Sequence, residues 1–349
     1  WWGFGKSRPS MEDFFLGGRT LGLFVVLCTV WSTLFSAYSY IGLPGAYYRT
    51  GISFFGIAGN ILLNALCMYL LGCRMWALGK KHGFINMTDL FAERYGSNWV
   101  CVIAMIISIG SLLPYIGLQI RGAGLTLQGV TQNVITFEMG LLYIVVVVGF
   151  YVILGGFRSV VWTDVVQALI MLVGMVGAMF LIATRVAGGL GGVIEKAAAL
   201  NPQLVSFPGP GGVWVPSMVL TTCMVVGLGG FAWPQISQRM YATKSMRTIK
   251  MLAFIFPLAA LFVNLPPIFI GLAGRIQYPD LKNPDLVFPM MLNELVPPVF
   301  GIIIVLAILA AIMSTVSGQI LSLTSIIVRD LYVRFFDPSA ATEARITKL

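Results

Sequence analysis

The residues with the clearest capacity for chemistry in this chain are neutral hydroxyls rather than charges. Ala311, Ser314, Thr315, Gly318 and Ser322 fall at helical offsets 0, 3, 4, 7 and 11, so they share one face. Ile312, Met313, Val316, Ile320 and Leu323 take most of the rest. Two adjacent hydroxyls beside backbone carbonyls suit a hard cation, which prefers oxygen ligands. A small-residue seam, where another helix packs closely, gives the same stripe. Alone, the stripe reads first as such a seam.

A second group of hydroxyls, Ser32, Thr33, Ser36 and Ser39, precedes Gly42-Leu43-Pro44-Gly45. Pro44 has no N–H for the carbonyl of Tyr40, and two glycines loosen the helix further, so a break is expected at 42–45. A discontinuous helix at the bilayer midplane frees carbonyls of the kind transporters use to hold sodium; a tolerated proline kink is the plainer alternative. Gly227-Leu228-Gly229-Gly230, with Trp233-Pro234 beyond, is a similar weak point five spans later. Paired interruptions at matching places point to an inverted repeat.

The elements that must hold these residues are membrane spans. The sequence is 58% hydrophobic and 10% charged, against about a quarter charged in soluble domains. Its apolar runs are long and continuous, as helices crossing a bilayer require. Eight spans are expected, at 21–48, 52–75, 99–120, 137–154, 161–184, 213–233, 251–272 and 299–328, within a single transmembrane transporter domain over 1–349. Of the 22 Lys and Arg, sixteen fall on one side of this arrangement and six on the other. The richer side is cytoplasmic, which puts the N-terminal segment there. Trp1 opens the chain, and Glu343–Leu349 reads as the approach to another helix, so a piece of a longer protein is expected.

All acidic residues are expected outside the spans or at their ends, which argues against proton relays and voltage sensors. No phosphate-binding loop, metalloprotease motif or Cys/His cluster is present in the sequence. Cys28, Cys67, Cys73, Cys101 and Cys223 lie in apolar runs as packing residues. The net charge of +9 comes from residues scattered in short loops, so no nucleic-acid partner is expected.

Four motifs in order carry a family resemblance: Asp13-Phe14-Phe15-Leu16-Gly17-Gly18-Arg19; Gly42-Leu43-Pro44-Gly45-Ala46; Gly155-Gly156-Phe157-Arg158-Ser159-Val160-Val161-Trp162-Thr163-Asp164; and Ala311-Ile312-Met313-Ser314-Thr315 with Arg329-Asp330-Leu331-Tyr332. The chain resembles the sodium:solute symporter family over about 13–332. Pro114–Ile120 and Gln235–Arg239 are similar to its pantothenate and monocarboxylate branches. The resemblance implies an all-α polytopic membrane protein with a LeuT-like inverted-repeat core, here incomplete, in a bacterial or archaeal plasma membrane. It implies Na+ as the coupling ion, held by the carbonyls of Ser32, Phe35 and Ala311 and the hydroxyls of Ser314 and Thr315. In some members a further sodium site or exit path uses the aspartate of the Trp-Thr-Asp motif, here Asp164, near Ser317; where some of these carry a second hydroxyl, this chain has Gly318. Proline-type members have an aspartate where this chain has Leu34.

A small organic solute is expected beside the two breaks, against Ser36, Ser39, Tyr40, Gln119 and Trp233. Arg121 is the cation placed to meet a carboxylate, or else an interfacial anchor for span three. The expected activity is sodium-coupled symport by alternating access, of a monocarboxylate or pantothenate-like anion. A transporter-like sensor domain of a membrane histidine kinase and a channel are the rivals. No nucleophile or cofactor constellation suggests an enzyme.

Overall fold

The computed structural model describes residues 10–336. Within them it is helical apart from loops and one isolated bridge between Leu21 and Thr243. The approach to a further helix at Glu343–Leu349, and Lys6, Arg8, Arg345 and Lys348 of the charge count, lie outside the described residues.

The long helices overrun the apolar windows because polar turns at their ends stay helical beyond the hydrocarbon. Span three runs Asn98–Val130, span seven Met246–Gln277, and span eight Pro298–Ser325, wound on to Phe336. By length and composition, five helical stretches among the described residues can cross a membrane, or six with one bent pair. Two of the five are interrupted by glycines in positive-φ conformations. Tyr38–His82 turns at Gly51 (φ 65°), and Phe137–Ala187 at Gly156 (φ 52°), between expected spans four and five. The long helices show apolar side chains outward, such as Ile106, Phe150, Ile153 and Phe254, each more than half exposed.

Span one breaks earlier than the sequence suggests. Leu23–Leu34 ends at Phe35, whose backbone is extended (φ −98°, ψ 110°). The helix resumes as a π-turn, Tyr38–Gly42, followed by Leu43–Thr50. Pro44 therefore does not break the helix. The widened turn absorbs it, with the Leu43 N–H reaching back to the Tyr38 carbonyl. The interruption falls among the hydroxyls instead, where Ser and Thr compete for backbone groups. The freed Ala37 N–H donates to Gln119 Oε1 of span three at 3.0 Å.

Span six likewise keeps its glycines within a helix, Pro216–Ala232. It breaks at Trp233 (φ −60°, ψ 130°), and Pro234–Ala242 departs at 54°. Proline at a helix's first position explains the site, since it restricts the preceding residue to extended backbone.

Gly156 carries a second close contact. A Cβ there would lie 2.8 Å from the Phe14 carbonyl, and Arg158 holds Asp13 through Nε (2.9 Å) and Nη2 (2.6 Å). Two of the four motifs thus touch each other.

The part of span one after the break packs closely on span seven at Gly271, where a Cβ would meet the Pro44 carbonyl at 2.5 Å. Gly177 faces open space. Gly271→Ala is expected to lower the thermal unfolding midpoint in detergent, through overpacking of about 1–3 kcal/mol. Gly177→Ala is expected to leave it equal or higher.

Candidate functional site

The hydroxyl face of span eight meets the last turn of Leu23–Leu34. Ser314 Oγ lies 2.9 Å from the Ser32 carbonyl and 3.0 Å from that of Ala311. Thr315 Oγ1 lies 3.3 Å from the Thr33 carbonyl and 3.0 Å from that of Ala311. All five residues are fully buried. Each hydroxyl has one proton for two acceptors, so oxygen lone pairs exceed protons here. Thr33 Oγ1 adds a further buried oxygen without a partner. Oxygens around one hard cation at about 2.3–2.6 Å stand roughly 3.3–3.7 Å apart at right angles. The observed pairs need to open by only a few tenths of an ångström. Phe35, two residues past Thr33, forms the break itself.

Beyond the break lies a cavity of about 1050 Å³. Ser36, Ser39, Gln119, Arg121 and Trp233 all line it, as do Leu34 and Phe35. Trp233 packs on Tyr115 with ring centroids 5.3 Å apart. Gln119 is already engaged, since its oxygen caps the break. Arg121 is exposed. Tyr40 is not in the lining: its hydroxyl donates to the Met171 carbonyl at 2.8 Å, and its ring packs near Phe288. The cavity reaches the segment around Asn283 and Asp285, where Asp285 meets Arg49 at 3.3 Å.

The opposite side of the break holds a buried ion pair, and this corrects the expectation that the cations lie in short loops. Arg239, counted above with the loop cations, is fully buried, as is Asp164. Arg239 Nη2 meets Asp164 Oδ2 at 3.0 Å, its Nε donates to Thr29 Oγ1 at 2.8 Å, and its Nη1 donates to the Gln235 carbonyl at 2.7 Å. Thr29 also donates to Asp164 Oδ2. Gly318 makes this possible, since a Cβ there would come within 3.0 Å of the guanidinium. Ser317 turns to the Ser314 carbonyl instead of Asp164. Farther along, Ser322 donates to Gln238 Oε1 at 2.7 Å. Asp330 accepts from Asn86 and Thr88, while Arg329 reaches Asp89 at 2.5 Å. Thr29 and Arg239 escaped sequence reasoning. The available signal for Arg239 was its place one helical turn beyond Gln235, on a half-helix short of the next loop.

The sodium:solute symporter family model matches residues 14–349. The sodium/pantothenate symporter of Escherichia coli (strain K12) is 29% identical over 344 residues, 97% of this chain and 70% of that one. The osmoregulated proline transporter of Bacillus subtilis (strain 168) is 30% identical over 352 residues, 98% of this chain and 69% of that one. The structure is similar to an outward-open, substrate-bound Na+-coupled sialic acid symporter, with TM-score 0.80 and 21% identity over 99% of this chain and 73% of that chain. A nucleobase-cation-symport-1 transporter in a closed conformation gives TM-score 0.63 at 17% identity, over 95% of this chain and 71% of that chain. The fold is LeuT-like, and the protein is an integral membrane carrier rather than an enzyme. On the match over residues 14–349, the chain belongs to the sodium:solute symporter family.

Proposed function

We propose that this chain couples one sodium ion to the entry of a small organic anion by alternating access. The contact of Ser314 and Thr315 with the carbonyls of span one, at the point where that span breaks, carries the reading. Sodium is bound by the Ser32, Phe35 and Ala311 carbonyls and the two hydroxyls. Bound there, it ties span one to span eight and fixes the break, which lines the cavity. The solute binds in that cavity, with Ser36, Ser39 and Trp233 around it and Arg121 as partner for a carboxylate. Each ligand thereby raises the other's affinity by the same factor.

Asp164 has its charge balanced inside the protein by Arg239. The pair acts as a lock between spans one, five and six, and Ser317 is not needed as a ligand. With the cation-rich loops cytoplasmic, the cavity faces outward and the lock closes the inner side. The relatives transport different solutes at similar identity, so the solute is assigned from the cavity. Leu34 in place of an acidic residue disfavours proline.

The test is uptake of pyruvate, lactate and pantothenate by the full-length protein in proteoliposomes, with and without a sodium gradient. Sodium-dependent, saturable uptake of at least one is the expected result. No sodium-dependent uptake of any of the three removes the anion reading.

A further inference from the structure

Gln235 is fully buried, lines the cavity, and has neither amide atom paired. Buried polar groups are almost always hydrogen-bonded, and an unpaired one carries the full penalty of losing water. Gln235 carries that penalty twice, on the first turn of Pro234–Ala242, just past the span-six break. The helix does not need this side chain there. Its backbone carbonyl already serves Arg239, and a leucine would fit the turn without leaving polar atoms behind. Asn64 of span two approaches the same break from the other side. It is 5% exposed, lines the cavity, and its Oδ1 is unpaired. Its amide nitrogen lies against Gly230, where a Cβ would come within 2.9 Å.

The two amides therefore flank the Trp233 break and face one cavity. Gln235 brings a donor and an acceptor, and Asn64 brings an acceptor. No charge is among them, so they suit a neutral group able both to give and to accept a hydrogen bond.

We infer that Gln235 and Asn64 form a neutral subsite for an amide or hydroxyl group of the solute, which makes the substrate class a hydroxy- or amido-carboxylate and not a plain alkyl carboxylate. The inference rests on the solute occupying the cavity proposed above. A site built to pair an O–H or N–H rejects the analogue lacking it far more strongly than an apolar pocket rejects a missing methylene.

The test uses the full-length protein in nanodiscs at saturating sodium, with pantothenate (a carboxylate bearing an amide and hydroxyls) and propionate as probes. Pantothenate is expected to bind about a hundredfold or more tighter than propionate. Gln235→Leu is expected to reduce that preference at least about tenfold, mainly by weakening pantothenate, while stabilisation by sodium alone persists. If Gln235→Leu does not fold, Asn64→Leu carries the same expectation. An unchanged preference in the folded variant overturns the subsite. Failure of wild-type protein to prefer pantothenate, or to bind either probe while sodium still stabilises it, overturns the substrate class alone. Loss of the sodium response in wild type defeats the symport reading itself.

Discussion

Replacing Ser314 and Thr315 together by alanine raises the sodium concentration for half-maximal uptake by about tenfold or more. Hydrogen bonds to charged groups contribute about 1.5–3 kcal/mol each, and tenfold corresponds to about 1.4 kcal/mol. Loss of two oxygens from the five ligands proposed above therefore exceeds that threshold even after a water replaces one of them. Linkage demands that solute affinity at sub-saturating sodium fall in step, while affinity at saturating sodium recovers. The competing explanation is that the stripe is only a packing seam. Ser322 separates the two: it lies on the same face and is equally buried, but its hydroxyl serves Gln238. Ser322→Ala is expected to lower stability with no change in sodium dependence. Sodium titration of uptake decides, and an unchanged half-saturation point in the double variant removes Ser314 and Thr315 as ligands.

The hydroxyl face was legible in sequence because helical offsets are fixed by geometry. Any helix through Ala311, Ser314 and Thr315 must present them together. The partner face was legible in kind and misplaced in detail. Pro44 drew the expected break toward itself, yet a π-turn costs a helix little when the following residue can bond five back, as Leu43 does. The actual break at Phe35 has no glycine or proline to mark it. It is held by Gln119, 82 residues in sequence from the Ala37 N–H that it accepts, and such long-range capping leaves no local trace. The same holds for the buried ion pair. Arg239 stands only a few residues from Lys244 and Arg247, so charge counting assigns it to a loop. Only the fold brings Asp164, Thr29 and the gap left by Gly318 to its guanidinium. Unpaired amides such as that of Gln235 were equally out of reach, because pairing is a tertiary property.

The ion pair supports the second large effect. Arg239→Met is expected to destabilise the protein by about 3–5 kcal/mol, the usual cost of leaving one buried charge without its partner. The loss is not simply that of a contact. Asp164 already has one oxygen without a partner, and removing the guanidinium leaves its remaining bond to Thr29 as the sole support for a buried negative charge. Combining Arg239→Met with Asp164→Leu should restore most of the stability, because replacing both members of such a pair with apolar residues of similar volume is often neutral or better. Arg239→Lys should recover little, since one ammonium on a shorter side chain cannot serve Asp164, Thr29 and the Gln235 carbonyl in the planar fork that a guanidinium provides. Thermal unfolding of the three variants in detergent measures the ordering. The double variant also probes function: if the pair is the lock that closes the inner side, the restored protein still binds sodium but leaks or exchanges solute without it. A double variant with wild-type coupling would leave the pair as a structural fixture and move the inner closure to other residues, such as the Asp89–Arg329 contact at the end of span eight.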